Sequence, residues 1–104
     1  MVIEWLKVQV DPEQRELYVQ KDAEIWTTAL SKYPGFLSKE VWISPENFSE
    51  LIIVIHWASL ENWKSIPAAD LQQIEAEFNQ AMGEVEQSIV ASSSYQVRKT
   101  FRSL

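Results

Sequence analysis

The stretch from Leu51 to Ala58 constrains the fold more than any other, because it is apolar on both phases of a strand with one exception, His56. Leu51, Ile53, Ile55 and Trp57 fall on one phase, and Ile52, Val54, His56 and Ala58 on the other. A run of this kind belongs at the centre of a sheet that is covered on two sides. Periodicity does not decide which cover each phase meets, so the faces of Trp57 and His56 stay open at this level.

The rest of the chain reads as elements to place around that strand. Val2 to Val10 alternates Val2, Glu4, Leu6, Val8 and Val10 against Ile3, Trp5, Lys7 and Gln9, with apolar groups on both faces. Asp11-Pro12-Glu13-Gln14 is a helix start, with Asp11 as the cap and Pro12 where a missing N–H costs nothing. The helix predicted to follow carries Tyr18, Asp22, Ile25, Trp26, Ala29 and Tyr33 on one stripe, with Leu17 and Leu30 at its border, and ends at Pro34-Gly35. A second strand alternates Phe36, Ser38, Glu40 and Trp42 against Leu37, Lys39, Val41 and Ile43, and turns at Ser44-Pro45-Glu46-Asn47 into the central strand. Ser59 caps a short helical turn through Trp63. Beyond Pro67, Leu71, Ile74, Phe78, Ala81, Met82 and Val85 mark an amphipathic helix that stops near Gly83. After Ser92-Ser93-Ser94, the alternation of Tyr95, Val97, Lys99 and Phe101 predicts a fourth, half-exposed strand.

The order β-α-β-β-α-β is the split βαβ arrangement. It predicts an α+β, ferredoxin-like domain spanning residues 1–104, with a four-stranded antiparallel sheet and two helices on one face. The other face then has no cover. Ile3, Trp5 and one apolar phase of the central strand would leave a patch too large for a soluble monomer, so a homodimer joined through the open sheet face is expected.

Composition removes several classes of function. The net charge is -6 and there is no basic run, so nucleic acid is not an expected partner. The absence of cysteine and the single histidine leave no set of ligands for zinc. With neither a basic leader nor a long apolar stretch at Met1-Val2-Ile3-Glu4, no membrane span is expected and the cytoplasm is the default location. What remains conspicuous is five tryptophans, at 5, 26, 42, 57 and 63. Their rings suit an aromatic-lined pocket, and their indole N–H groups call for partners.

Two stretches carry a family resemblance that extends from Val2 to Phe101. Tyr33-Pro34-Gly35-Phe36-Leu37, and His56-Trp57-Ala58-Ser59-Leu60-Glu61-Asn62-Trp63, are similar to the Pro-Gly-aromatic start of strand two and the Trp-rich strand exit of the antibiotic biosynthesis monooxygenase family. The resemblance implies a dimeric α+β barrel, with a pocket between sheet and helices into which Trp63 points. The family gathers cofactor-free quinone-forming oxygenases, haem degraders and members without known activity. In the haem degraders the junction Trp acts with a His on the following helix and an Asn in the first strand. Those places fall near Gln73 and Leu6 here, so the resemblance implies no haem and no other cofactor.

An oxygenase of the cofactor-free kind needs an apolar cavity that flattens an electron-rich phenol, and a group to take its proton. The proton acceptors at hand are His56, Glu40 and Asp22, of which His56 and Asp22 are the candidate bases, and the walls are Trp26, Trp42 and Trp63. Each has a plainer explanation: His56 as a satisfied core or interface histidine, Trp26 as core packing, Asp22 as part of a structural network, and Glu40 and Lys39 on a solvated edge strand. Three readings stay open. The chain is a cofactor-independent monooxygenase acting on a planar quinol- or anthrone-like molecule, a non-catalytic module that binds an apolar ligand, or a dimerisation domain.

Overall fold

A computed structural model describes residues 1–103. Strand β1 (Val2–Val10) leads through a single 3-10 turn at Pro12–Gln14 into helix α1 (Arg15–Asp22). The helix continues through a π segment, Ala23–Thr27, to a last short turn, α2 (Thr28–Leu30). Strands β2 (Phe36–Ile43) and β3 (Glu50–Trp57) follow, then α3 (Leu60–Lys64), α4 (Ala68–Met82) and β4 (Gln87–Gln96). The strands form one antiparallel sheet in the order β2-β3-β1-β4. This is the ferredoxin-like arrangement the sequence predicts. Within one chain the sheet is open rather than closed into a barrel. Among the described residues no helix is long and apolar enough to cross a membrane.

The caps behave as their chemistry requires. Asp11 Oδ1 accepts from the Glu13 N–H at 3.0 Å, and Ser59 Oγ accepts from the Asn62 N–H at 3.0 Å. At the far end of α4, Gly83 takes φ 64° and ends the helix.

Strand register divides the central strand cleanly. Leu51, Ile53, Ile55 and Trp57 are buried with Val8 and Val10 of β1, under Tyr18, Leu30, Phe78 and Met82 from the helices. Trp57 thus faces the helices, which settles its phase. The opposite face carries the cross-strand rows Tyr95–Ile3–His56–Ser38, Ser93–Trp5–Val54–Glu40 and Ala91–Lys7–Ile52–Trp42.

Three expectations need correction. The fourth strand is Gln87–Gln96 rather than a run centred on Tyr95 to Phe101, so the three serines lie inside it. The reason is pairing: β1 has backbone groups to satisfy along its whole length, and residues 87–96 do so despite their modest strand propensity. In β2 a register irregularity between Phe36 and Ser38 puts Phe36 on the helical face, edge-on to Trp57 at 5.8 Å between ring centroids. Beyond that break, Lys39 and Val41 point inward and Ser38, Glu40 and Trp42 outward. The first helix is not uniform either. In a plain α-helix the positions 18, 22, 26 and 30 would drift around the axis, whereas the wide π turn takes up the excess and leaves all four facing the sheet. Leu30 is accordingly buried rather than at the border.

Gly35 joins these elements. Its φ is 89°, and a Cβ there would lie 2.4 Å from Asn62, while its carbonyl accepts from the Ala58 N–H at 2.8 Å. The Pro-Gly-aromatic segment therefore sits directly against the start of α3, which carries Trp63. Gly35→Ala is expected to lower the melting temperature by about 10 °C or more, from backbone strain and displacement of Asn62 together. A thermal melt followed by circular dichroism measures it.

Candidate active site

Between the helical face of the sheet and the helices lies a cavity of about 530 Å³. That size is within the range of pockets for small organic ligands. Trp26 from the π turn, Trp57 at the end of β3 and Trp63 from α3 contribute aromatic wall, and Leu6, Ile53, Ile55 and Phe78 add aliphatic and aromatic surface. Lys64 Nζ sits 4.1 Å from the centre of the Trp63 ring, a cation–π contact that helps to fix the indole.

Ionisable groups stand among these walls, Asp22, Lys39 and Glu4 the most closely engaged. Asp22, from the last turn of α1, is 2% exposed. The Lys39 ammonium reaches Asp22 Oδ2 at 2.7 Å, and each side chain is 3% exposed. The contact is electrostatic more than directional, since Oδ2 lacks a well-oriented hydrogen-bond donor. Burial pushes the Asp22 carboxyl above the usual carboxylate range, and the Lys39 charge opposes that shift. Glu4, in β1, shares a cross-strand row with Ile55 and Lys39. Its Oε1 accepts a hydrogen bond from the Trp57 indole N–H at 3.2 Å. Burial raises Glu4 as well, against the lowering effects of that bond and of Lys64 and Lys39. Nearby, burial and the Asp22 charge push the Tyr18 hydroxyl upward, so that it stays protonated at neutral pH.

Of the residues singled out from the sequence, the structure brings Asp22, Trp26 and Trp63 together at the cavity. It does not bring His56, Glu40 or Trp42 there. They form a cluster on the opposite, open face, where Glu40 Oε1 accepts from the Trp42 indole N–H at 3.0 Å and Oε2 lies 3.4 Å from His56 Nε2. The phase of β2 beyond its irregularity and the phase of β3 account for this placement. Lys39 and Glu4, by contrast, belong to the cavity and were not singled out. An isolated lysine in an alternating strand reads as surface, and only the break after Phe36 turns it inward. Glu4 could have been found from its phase, which it shares with Leu6 and Val8.

Leu6 lines the cavity as well, while Gln73 borders a separate depression between the end of the first helix and α4. The α4 positions that face the cavity are Leu71, Glu75, Phe78 and Asn79. With the chain's only imidazole, His56, on the opposite face, the cavity residues do not fit a histidine-ligated haem.

The fold and the cavity together define a ferredoxin-like α+β domain with a pocket roofed by its helices. The chain belongs to the antibiotic biosynthesis monooxygenase family, whose model matches residues 1–70. No protein with a curated description matches its sequence. Solved structures share the fold at low identity. SnoaB, a cofactor-independent oxygenase from Streptomyces nogalater, superposes with a TM-score of 0.71 at 12% identity, covering 98% of this chain and 97% of its own. HapK from Hahella chejuensis gives 0.69 at 14% identity, covering 99% of each chain.

Proposed function

We propose that this protein is a cofactor-independent monooxygenase that holds a planar quinol- or anthrone-like molecule against Trp26, Trp57 and Trp63, and that it works as a homodimer closed through the open sheet faces. The observation that carries this reading is the buried Asp22–Lys39 pair in the wall of a largely apolar cavity. A structural core has little use for two opposite charges at that position.

The pair supplies what the reaction requires. A carboxylate made more basic by burial takes the proton of the bound substrate. The Lys39 ammonium, next to it, holds the negative charge that develops on the substrate and then on oxygen. For an anthrone, the resulting anion transfers electrons to dioxygen. A C–O bond forms at the former methylene carbon, the O–O bond breaks, one oxygen remains as the new carbonyl, and the other leaves as water with the two methylene hydrogens. No external reductant is needed. The apolar walls exclude water, which keeps the charge interactions strong.

Oxygen uptake with 1,8-dihydroxyanthrone tests the proposal. The wild type is expected to exceed the spontaneous rate, and Asp22→Asn to lose about 100-fold or more of that excess while still binding the ring system. Saturable quenching of tryptophan fluorescence without any uptake above the spontaneous rate would identify a binding module instead.

A further inference from the structure

Glu4 has no part in that proton transfer, yet it is held in place with some care. Its oxygen is aligned by the Trp57 indole, and Trp57 is itself fully buried. The carboxylate therefore occupies a fixed position on the sheet floor of the cavity. Asp22 and Glu75 add two further carboxylates to the lining. Of the two ammoniums nearby, Lys39 is engaged by Asp22, and Lys64 lies over the Trp63 ring. On the sheet floor Glu4 thus has no ion-pair partner among the described residues, Lys39 and Lys64 acting on it only at longer range, within a chain whose net charge is -6.

We infer that Glu4 is a specificity-determining residue that selects uncharged hydroxyaromatics and turns away those bearing a carboxylate. This rests on the reading of the cavity as an aromatic-binding site, and it narrows the substrate class to neutral polycyclic phenols. A ligand carboxylate brought beside Glu4 meets a like charge in a poorly screened site, whereas a ligand hydroxyl donates a hydrogen bond to it. When protonated, Glu4 can still donate to a ligand carbonyl, and the repulsion disappears.

A matched pair of non-oxidisable probes separates the effects: 1,8-dihydroxyanthraquinone and its 3-carboxylate. Dissociation constants come from quenching of intrinsic fluorescence at pH 7.5. The wild type should bind the neutral probe about tenfold or more tightly than the carboxylated one, as expected for one unit of like charge at close range. In Glu4→Gln, which keeps an acceptor for the Trp57 N–H, the ratio should fall to within about threefold of unity, mainly through tighter binding of the carboxylated probe. The wild type supplies a second measurement that needs no variant. As pH falls into the range where the raised Glu4 carboxyl takes up its proton, the ratio should narrow, because the floor loses its charge. The groups facing Glu4 through this titration are Lys39, Lys64, Asp22 and Glu75. Equal affinities in the wild type, or a ratio that survives both Glu4→Gln and acid pH, would overturn the inference while leaving the aromatic site intact. If neither probe binds, the aromatic site itself fails and the inference with it.

Discussion

Lys39→Met is expected to destabilise the fold by about 3–5 kcal/mol, because it strands Asp22 as an unpaired carboxyl at 2% exposure. In a domain of this size the melting temperature should fall by more than about 12 °C at neutral pH. The loss should shrink in acid, since an acidic group whose value is raised in the folded state contributes its stability below its ordinary range and forfeits it as pH rises through the raised value. The double variant Asp22→Leu/Lys39→Met should regain most of the stability, as buried ion pairs replaced by apolar side chains of similar volume commonly do. It should nevertheless consume no oxygen beyond the spontaneous rate. A fold that tolerates the apolar pair while losing turnover would establish that the charges serve chemistry rather than architecture. If the double variant stays as unstable as the single one, the pair is structural, and the oxygenase reading loses its main support. Thermal melts at pH 5 and pH 8, with oxygen uptake at pH 8, distinguish these outcomes.

The sequence exposed the architecture more readily than the site, for a physical reason. The apolar residues on both phases of β1 and β3 mark these as inner strands without saying which phase the helices cover, and in the structure Val8, Leu51, Ile53 and Ile55 take that side. The cap at Asp11 and the stop at Gly83 are local signals that tertiary packing leaves alone. The site depends instead on two departures from regular period. One is the irregularity after Phe36, which sends Lys39 inward and Glu40 and Trp42 outward. The other is the π segment, which keeps Asp22, Trp26 and Leu30 in line above the sheet. Neither departure has a signature in residue type, because both satisfy the packing of the finished fold. For the same reason the bounds of β4 escape the sequence, since its serines become a strand only because β1 lies beside them.

At micromolar concentration the protein is expected to sediment with about twice the 12.1 kDa mass of one chain, and Ile52→Lys to sediment as a monomer. The open face supplies the motive. Trp5 and Ile52 lie at its centre beside the already buried Val54, and Tyr95 and Trp42 extend it outward with 57% and 48% of their surfaces exposed. Ile52 is only partly buried in the single chain, so a lysine there costs the isolated fold less than it costs an interface. Inside an interface the same lysine would carry an unpaired charge into a desolvated apolar patch, at a cost of several kcal/mol. The cluster of Glu40, His56 and Trp42 fits this use of the face. Because Glu40 accepts from the Trp42 indole and stands beside His56 within one chain, its carboxylate enters an interface already partnered. The polar groups then act on the register of the two sheets more than on their affinity. Glu40→Ala is accordingly expected to leave a dimer, and Ile52→Lys to abolish it. A wild-type protein that stays monomeric at tens of micromolar while holding its fold would remove the barrel from the proposal, leaving the cavity to act within one chain.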